Sequence, residues 1–130
     1  MSIALATTLH TDFDDAVERT RKALSEQGFG VLTEIDVTAT LRSKLGTEME
    51  RYLILGACNP PLAHAALEVD RQIGLLLPCN VVVREDRSSG DVLVEAMNPE
   101  LMVQVAGESA LRAVADQATA KLRAAIEALG

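Results

Sequence analysis

The stretch YLILGACNPPLAHAALE, Tyr52 to Glu68, decides the fold class, because it changes from strand to helix within one short block. Arg51 to Cys58 is apolar at positions that would face both ways, so this strand belongs in the middle of a sheet. Asn59 then offers a side-chain oxygen to a free backbone donor, and Pro60 already has the φ of a first helical residue. Leu62, Ala66, Val69 and Ile73 follow at helical spacing and carry the buried stripe of that helix. A central strand feeding an amphipathic helix means helices layered on a sheet.

Upstream, Ile3 to Leu9 alternates as a strand does. Asp12 is placed to cap a helix whose Phe13, Ala16, Val17, Thr20 and Leu24 share a face, and Gly28 stands where a left-handed residue ends it. The next strand sets Phe29, Val31, Thr33, Ile35 and Val37 on one side against Gly30, Leu32, Glu34 and Asp36 on the other. Thr38 to Leu45 is a short helix, with Leu41 and Leu45 one turn apart and Gly46 as its stop. Downstream, the strand Leu77 to Glu85 turns through Arg84 to Gly90 into a hairpin partner, Asp91 to Met97. Asn98-Pro99 repeats the helix start. After a break at Gly107, Leu111, Val114, Ala115, Ala118, Leu122, Ile126 and Leu129 mark a long final helix. The order β-α-β-α-β-α-β-β-α over residues 1–130 predicts a single α+β domain, a two-layer sandwich with a mixed or mainly antiparallel sheet.

Apolar residues make up 48% of the 130, enough for a core without disulfides or a structural metal. Aromatics are only 2%, so that core is aliphatic. With 19 acidic against 12 basic side chains the net charge is −7, which repels a phosphate backbone; three scattered aromatics make a poor stacking platform. No nucleic acid is expected as a partner. No apolar run reaches the roughly 18 residues of a membrane span, and the N-terminus lacks a basic n-region before its apolar stretch. The expected compartment is the cytoplasm, with no membrane partner.

Three runs carry a resemblance: EIDVTATLRSKLG (Glu34 to Gly46), YLILGACNPPLAHAALE (Tyr52 to Glu68) and IGLLLPCNVVVRED (Ile73 to Asp86). Together they resemble the bacterial and archaeal family known as domain of unknown function 302, over nearly the whole chain, with GACNPP and LLPCNVVV the most specific blocks. The resemblance implies a curved sheet backed by helices, similar to the TATA-binding-protein-like class, and implies no activity. It places the family's characteristic polar positions at Glu34, Lys44, Cys58, Asn59, Cys79 and Asn80. One departure is Asp70-Arg71, where an acidic-proline pair is the family pattern.

Among candidate site residues, Cys58 leads. It lies where a strand ends and a helix begins, so unpaired N–H groups and the helix dipole would favour its thiolate, while burial beside Gly56 and Ala57 would make it inert packing. A right-handed crossover between parallel strands would carry Cys79 to the far end, because a helix of about 13 residues travels roughly 20 Å. An antiparallel return would bring the two cysteines together, close enough for a metal or a disulfide. The crossover is the favoured reading. Glu34 and Asp36 share a strand face and could do acid–base work or meet a cation, with Lys44 one helix later as an ion-pair or anion contact; a solvated sheet face is the favoured reading of them. His10 and His64 match no ligand spacing, and no glycine-rich phosphate loop, nucleophile elbow, C-x-x-C pair or zinc pattern occurs. No metal is expected and no cofactor is named.

The open sheet face would combine Ala4, Ala6, Gly30, Leu32, Glu34 and Gly56 with Asn80, Val82 and Leu93. Such a face is the floor of a ligand cleft or an oligomer interface. The first expectation is a small-molecule or metabolite-binding domain with its cleft at Cys58-Asn59-Pro60-Pro61, and with Glu34, Lys44, Cys58, Asn59 and Asn80 as ligand contacts. The alternatives are a homodimeric interaction module without catalysis and a thiol-dependent enzyme using Cys58.

Overall fold

The computed structural model describes residues 2–130. Its strands are β1 (Ala4–Leu9), β2 (Gly30–Asp36), β3 (Tyr52–Cys58), β4 (Cys79–Glu85) and β5 (Val92–Met97). They form one sheet in the order β1-β5-β4-β3-β2, antiparallel at every pairing. Four reversals leave the two edge strands parallel, so helix α1 (Phe13–Glu26) must cross the whole sheet to join them. Asp12 caps it as expected, its Oδ1 accepting from the Asp15 N–H at 2.8 Å, and Gly28 closes it at φ 82°.

Helices α1 and α5 (Arg112–Leu129) pack against each other and on one face of the sheet. Leu5, Leu55, Val81, Val83, Val94, Leu24 and Leu122 fill the space between, all nearly or fully buried. Every apolar position expected inside the final helix is buried, from Leu111 to Leu129. On the opposite sheet face Ala6, Asn80 and Ile35 are exposed. Pairing puts Ala6, Glu95, Val82, Ile54 and Ile35 in one row across that open face, and Arg84 bridges to Glu95 at 2.7 Å.

A second apolar cluster caps the sheet end where β3 stops and β4 starts. Helix α3 (Pro60–Val69), a 3-10 turn (Arg71–Leu76) and helix α4 (Glu100–Ala106) contribute Ala66, Ile73 and Met102, which meet Leu111 and Val114. Asn98 ties this region to the N-terminus: its Nδ2 donates to Ser2 O at 3.1 Å, and its Oδ1 accepts from the Glu100 N–H at 3.1 Å.

Three expectations need correction. First, β3 and β4 are antiparallel neighbours, not parallel strands joined by a crossover: α3 ends at Val69, the chain folds back through the 3-10 turn, and Cys79 pairs with Ala57. The two cysteines therefore lie at the same end of the sheet. Second, Ile73 belongs to that turn rather than to the helix, because Asp70 stops α3 and its carboxylate accepts from the Gln72 N–H at 2.9 Å. Third, a bulge between Val31 and Thr33 reverses the facing of the rest of β2. Glu34 pairs with the buried Leu55 and points to the helices, while Ile35 pairs with Ile54 on the open face. The short helix α2 (Val37–Leu45) ends at Gly46 as expected, with Leu45 71% exposed. That helix is held instead by Thr38, whose hydroxyl donates to Glu50 O at 2.7 Å and accepts from the Tyr52 N–H at 2.8 Å.

Candidate functional site: an apolar cavity at the start of α3

The end of β3 puts Ala57 inside the core, leaves Cys58 half-buried and buries Asn59. Asn59 is doubly used. Its Oδ1 accepts from the Leu62 N–H and its Nδ2 donates to Gln27 O, both at 3.4 Å. Gly28 permits the second contact: a Cβ there would sit 3.1 Å from Asn59 Nδ2, and its positive φ also suits glycine. One asparagine thus joins the start of α3 to the end of α1.

This junction removes the free N–H groups expected beside the Cys58 thiol. Pro60 and Pro61 have no N–H, the Leu62 donor is taken by Asn59 Oδ1, and the Ala63 donor by Asn59 O at 2.9 Å. The first turn of α3 offers no free donor to an anion. The same residues that start the helix cleanly consume its anion-binding capacity.

Beside the junction lies a cavity of about 310 Å³. Its walls come from β2 (Leu32, Thr33), the end of β3 (Ala57, Cys58), α3 (Leu62, Ala63, Ala66), the strand entry Leu77-Pro78-Cys79, and Met102, Val114 and Ala118 from α4 and α5. None of the lining side chains is charged. Both cysteines border it as free thiols. Burial pushes the Cys79 thiol up to about 11, with the neighbouring Cys58 adding to the shift, so it stays protonated near neutrality.

The other site residues expected from sequence go elsewhere. Glu34 lines a separate cavity of about 240 Å³ with Asp14, Glu18, Asp36 and Arg51, and it pairs with Arg21 of α1 rather than with Lys44. Lys44 is exposed in the last turn of α2. Asn80 is exposed on the open face opposite Gly56. His10 bonds Asp91 at 2.7 Å, and His64 stands beside Glu68. Met102, Leu77 and Pro78 were not foreseen, because an apolar wall looks like core in a sequence. Only the antiparallel return of β4 brings Leu77 and Pro78 to Cys58.

The family model described as Domain of unknown function DUF302 matches residues 5–129. The chain belongs to that family. The crystal structure of an uncharacterized conserved DUF302 protein from Bacillus stearothermophilus is similar over 100% of both chains, with a TM-score of 0.92 at 27% identity. No curated protein matches. Of the polar positions that the DUF302 resemblance singles out, Cys58, Asn59 and Cys79 meet at the apolar cavity; Glu34, Lys44 and Asn80 do not line it. No helix among the described residues is long and apolar enough to cross a membrane.

Proposed function

We infer that this domain binds a small, uncharged, apolar molecule in the cavity at the start of α3. The observation that carries this reading is a cavity of about 310 Å³ without a charged side chain in its lining. Its volume is at the lower end for ligand sites, roughly 300–1,000 Å³. An anionic head group has no partner there, since the helix start has spent its donors. Cys58 and Asn59 remain as ligand contacts, with apolar walls supplying most of the affinity through desolvation. The exhausted helix terminus also weighs against the thiol-enzyme alternative. Two free cysteines suit a reducing compartment, the cytoplasm.

The test is fluorescence of a neutral, environment-sensitive apolar dye, followed by displacement with neutral and carboxylated compounds of equal size. Ala63 borders the cavity and is only half-buried, so Ala63→Leu should fill space without wrecking the core. The expected result is dye binding that Ala63→Leu abolishes and that neutral compounds displace better. Unchanged binding in Ala63→Leu, or a preference for the carboxylates, would sink the proposal.

Homodimerisation is a second reading, supported by a different observation. Ile35 is 50% exposed on the uncovered sheet face and Leu32 is 69% exposed at the bulge beside it, with the half-buried Ile54 and Val82 next in the row. An isologous pair would cover that strip and set Arg84 and Glu95 against their symmetry mates. Sedimentation at micromolar concentration decides it, and a single monomeric species would rule the dimer out.

A further inference from the structure

A regular β2 ladder would continue from the Val31–Ala57 pair to Leu32 opposite Gly56 and Thr33 opposite Leu55, turning the threonine toward the helices. The bulge sets Thr33 opposite Gly56 instead, on the open face. Bulges re-aim side chains in this way beside functional sites. Gly56 then makes room: a Cβ there would collide with Thr33 Oγ1 and with Pro78 Cγ, so the hydroxyl and the proline ring lie side by side over the glycine. Thr33 and Pro78 both line the apolar cavity. Two separate features, a bulge and a glycine, thus bring one hydroxyl to its edge.

That hydroxyl is also the one oxygen or nitrogen of the lining side chains left uncommitted. Asn59 is bonded at both its oxygen and its nitrogen, and the other polar atoms are thiols, which are weak hydrogen-bond partners. Thr33 Oγ1 has no hydrogen-bond partner among the described residues. The lining is graded as well. Leu32 and Thr33 are exposed and mark the mouth, while Phe29, Ala66, Met102 and Val114 are buried and mark the floor.

We propose that the ligand is a neutral amphiphile with a single hydroxyl or carbonyl head, which enters hydrocarbon first and hydrogen-bonds that head to the Thr33 hydroxyl at the mouth. The proposal rests on the cavity binding a small apolar molecule, and adds the head group, its direction and its anchor. Reversed, the head would meet only carbon and sulfur at the floor and would give up its bonds to water without replacement. At the mouth it keeps one bond to Thr33 and the rest to solvent. An aliphatic protein cavity of about 150 Å³ accepts benzene. A cavity of about 310 Å³ therefore takes a hydrocarbon body of roughly eight to twelve carbons.

The experiment is displacement of the neutral dye by octanol, by octyl chloride, which matches it in heavy atoms but lacks the hydroxyl, and by the octane diol with a hydroxyl at each end. Thr33→Val replaces the hydroxyl by a methyl group on a frame that suits a strand. It should weaken octanol roughly three- to tenfold and leave octyl chloride unchanged, which also certifies that the variant's cavity is intact. Thr33→Ala removes the hydroxyl without adding bulk beside Pro78 and should show the same selectivity. Thr33→Ser keeps the hydroxyl and should keep octanol. The diol should bind about tenfold or more weakly than octanol, since its second hydroxyl must go to the floor. Unchanged octanol affinity in both Thr33→Val and Thr33→Ala, or equal losses of octanol and octyl chloride in both, would overturn the anchor and leave the cavity reading standing. A diol that binds as tightly as octanol would overturn the direction of entry. Failure of octyl chloride to bind the unmodified protein would instead sink the cavity reading, and this proposal with it.

Discussion

At one end of the β2–β3 pair, Glu34, Asp36, Tyr52 and Leu53 border a cavity of about 240 Å³ together with residues of α1. At the other end, Leu32, Thr33, Ala57 and Cys58 border one of about 310 Å³ under α3. Two strands supply both, and they differ in what their polar groups are already doing. At the first, Glu34 is answered by Arg21, and Asp36 caps α2 by accepting from the Ala39 N–H at 2.9 Å. Arg51 bonds Asp14 at 3.0 Å while its guanidinium carbon lies 4.1 Å from the Phe13 ring centroid. Those charges are committed to the fold in a solvated setting. At the second, Asn59 is committed too, and apart from Thr33 the remaining lining side chains offer only carbon and sulfur. A ligand at the first must compete with existing ion pairs and water. At the second it need only replace weakly held solvent.

The largest effect should come where the apolar end is tightest. A Cβ on Gly56 would stand 2.2 Å from Thr33 Oγ1 and 2.9 Å from Pro78 Cγ, both residues of the cavity wall. Gly56→Ala should cost about 2 kcal/mol by chemical denaturation, as overpacking commonly does. It should also lower dye affinity, because β2 and Pro78 must move apart. Adding Thr33→Ala should restore part of the stability. A neutral Gly56→Ala would mean that this end of the sheet yields readily to an added methyl group. Next comes Asn59→Ala, which removes the α3 cap and the link to Gln27 and should cost about 1 kcal/mol. If the unfolding midpoint does not move, the hydrogen bonds at 3.4 Å hold nothing.

Much of the fold was legible because local chemistry and tertiary packing agree. Asp12, Asn59 and Asn98 all accept hydrogen bonds at the helix starts expected of them, and Gly28, Gly46 and Gly107 all take the positive φ that ends a helix. What stayed hidden was non-local. Nothing in GVLTEID announces the bulge that turns Glu34 toward α1, since the alternation reads equally well without it. The sense of β4 depended on where α3 stops, and Asp70-Arg71 lacks the proline that would have marked the stop. Without that reversal Cys58 and Cys79 fall at opposite ends, and that separated arrangement was the one the sequence favoured over the antiparallel return.

The smallest effect should follow from Glu34→Gln, and it tests the polar end of the comparison. Glu34 and Arg21 pair with side chains 49% and 33% exposed, so solvent screens the pair and both long side chains lose freedom in making it. Pairs in such settings contribute roughly 0–1 kcal/mol. The shift in denaturation midpoint should therefore be small, and smaller still at 1 M salt, where the Debye length is about 3 Å. The variant should bind the apolar dye as the unmodified protein does, because the bulge turns Glu34 toward α1 and away from the Cys58 end of β3. A loss well above 1 kcal/mol would mark the pair as structurally essential. A change in dye binding would show that the two ends of the β2–β3 pair are coupled, and the sheet would then have to be treated as one site rather than two.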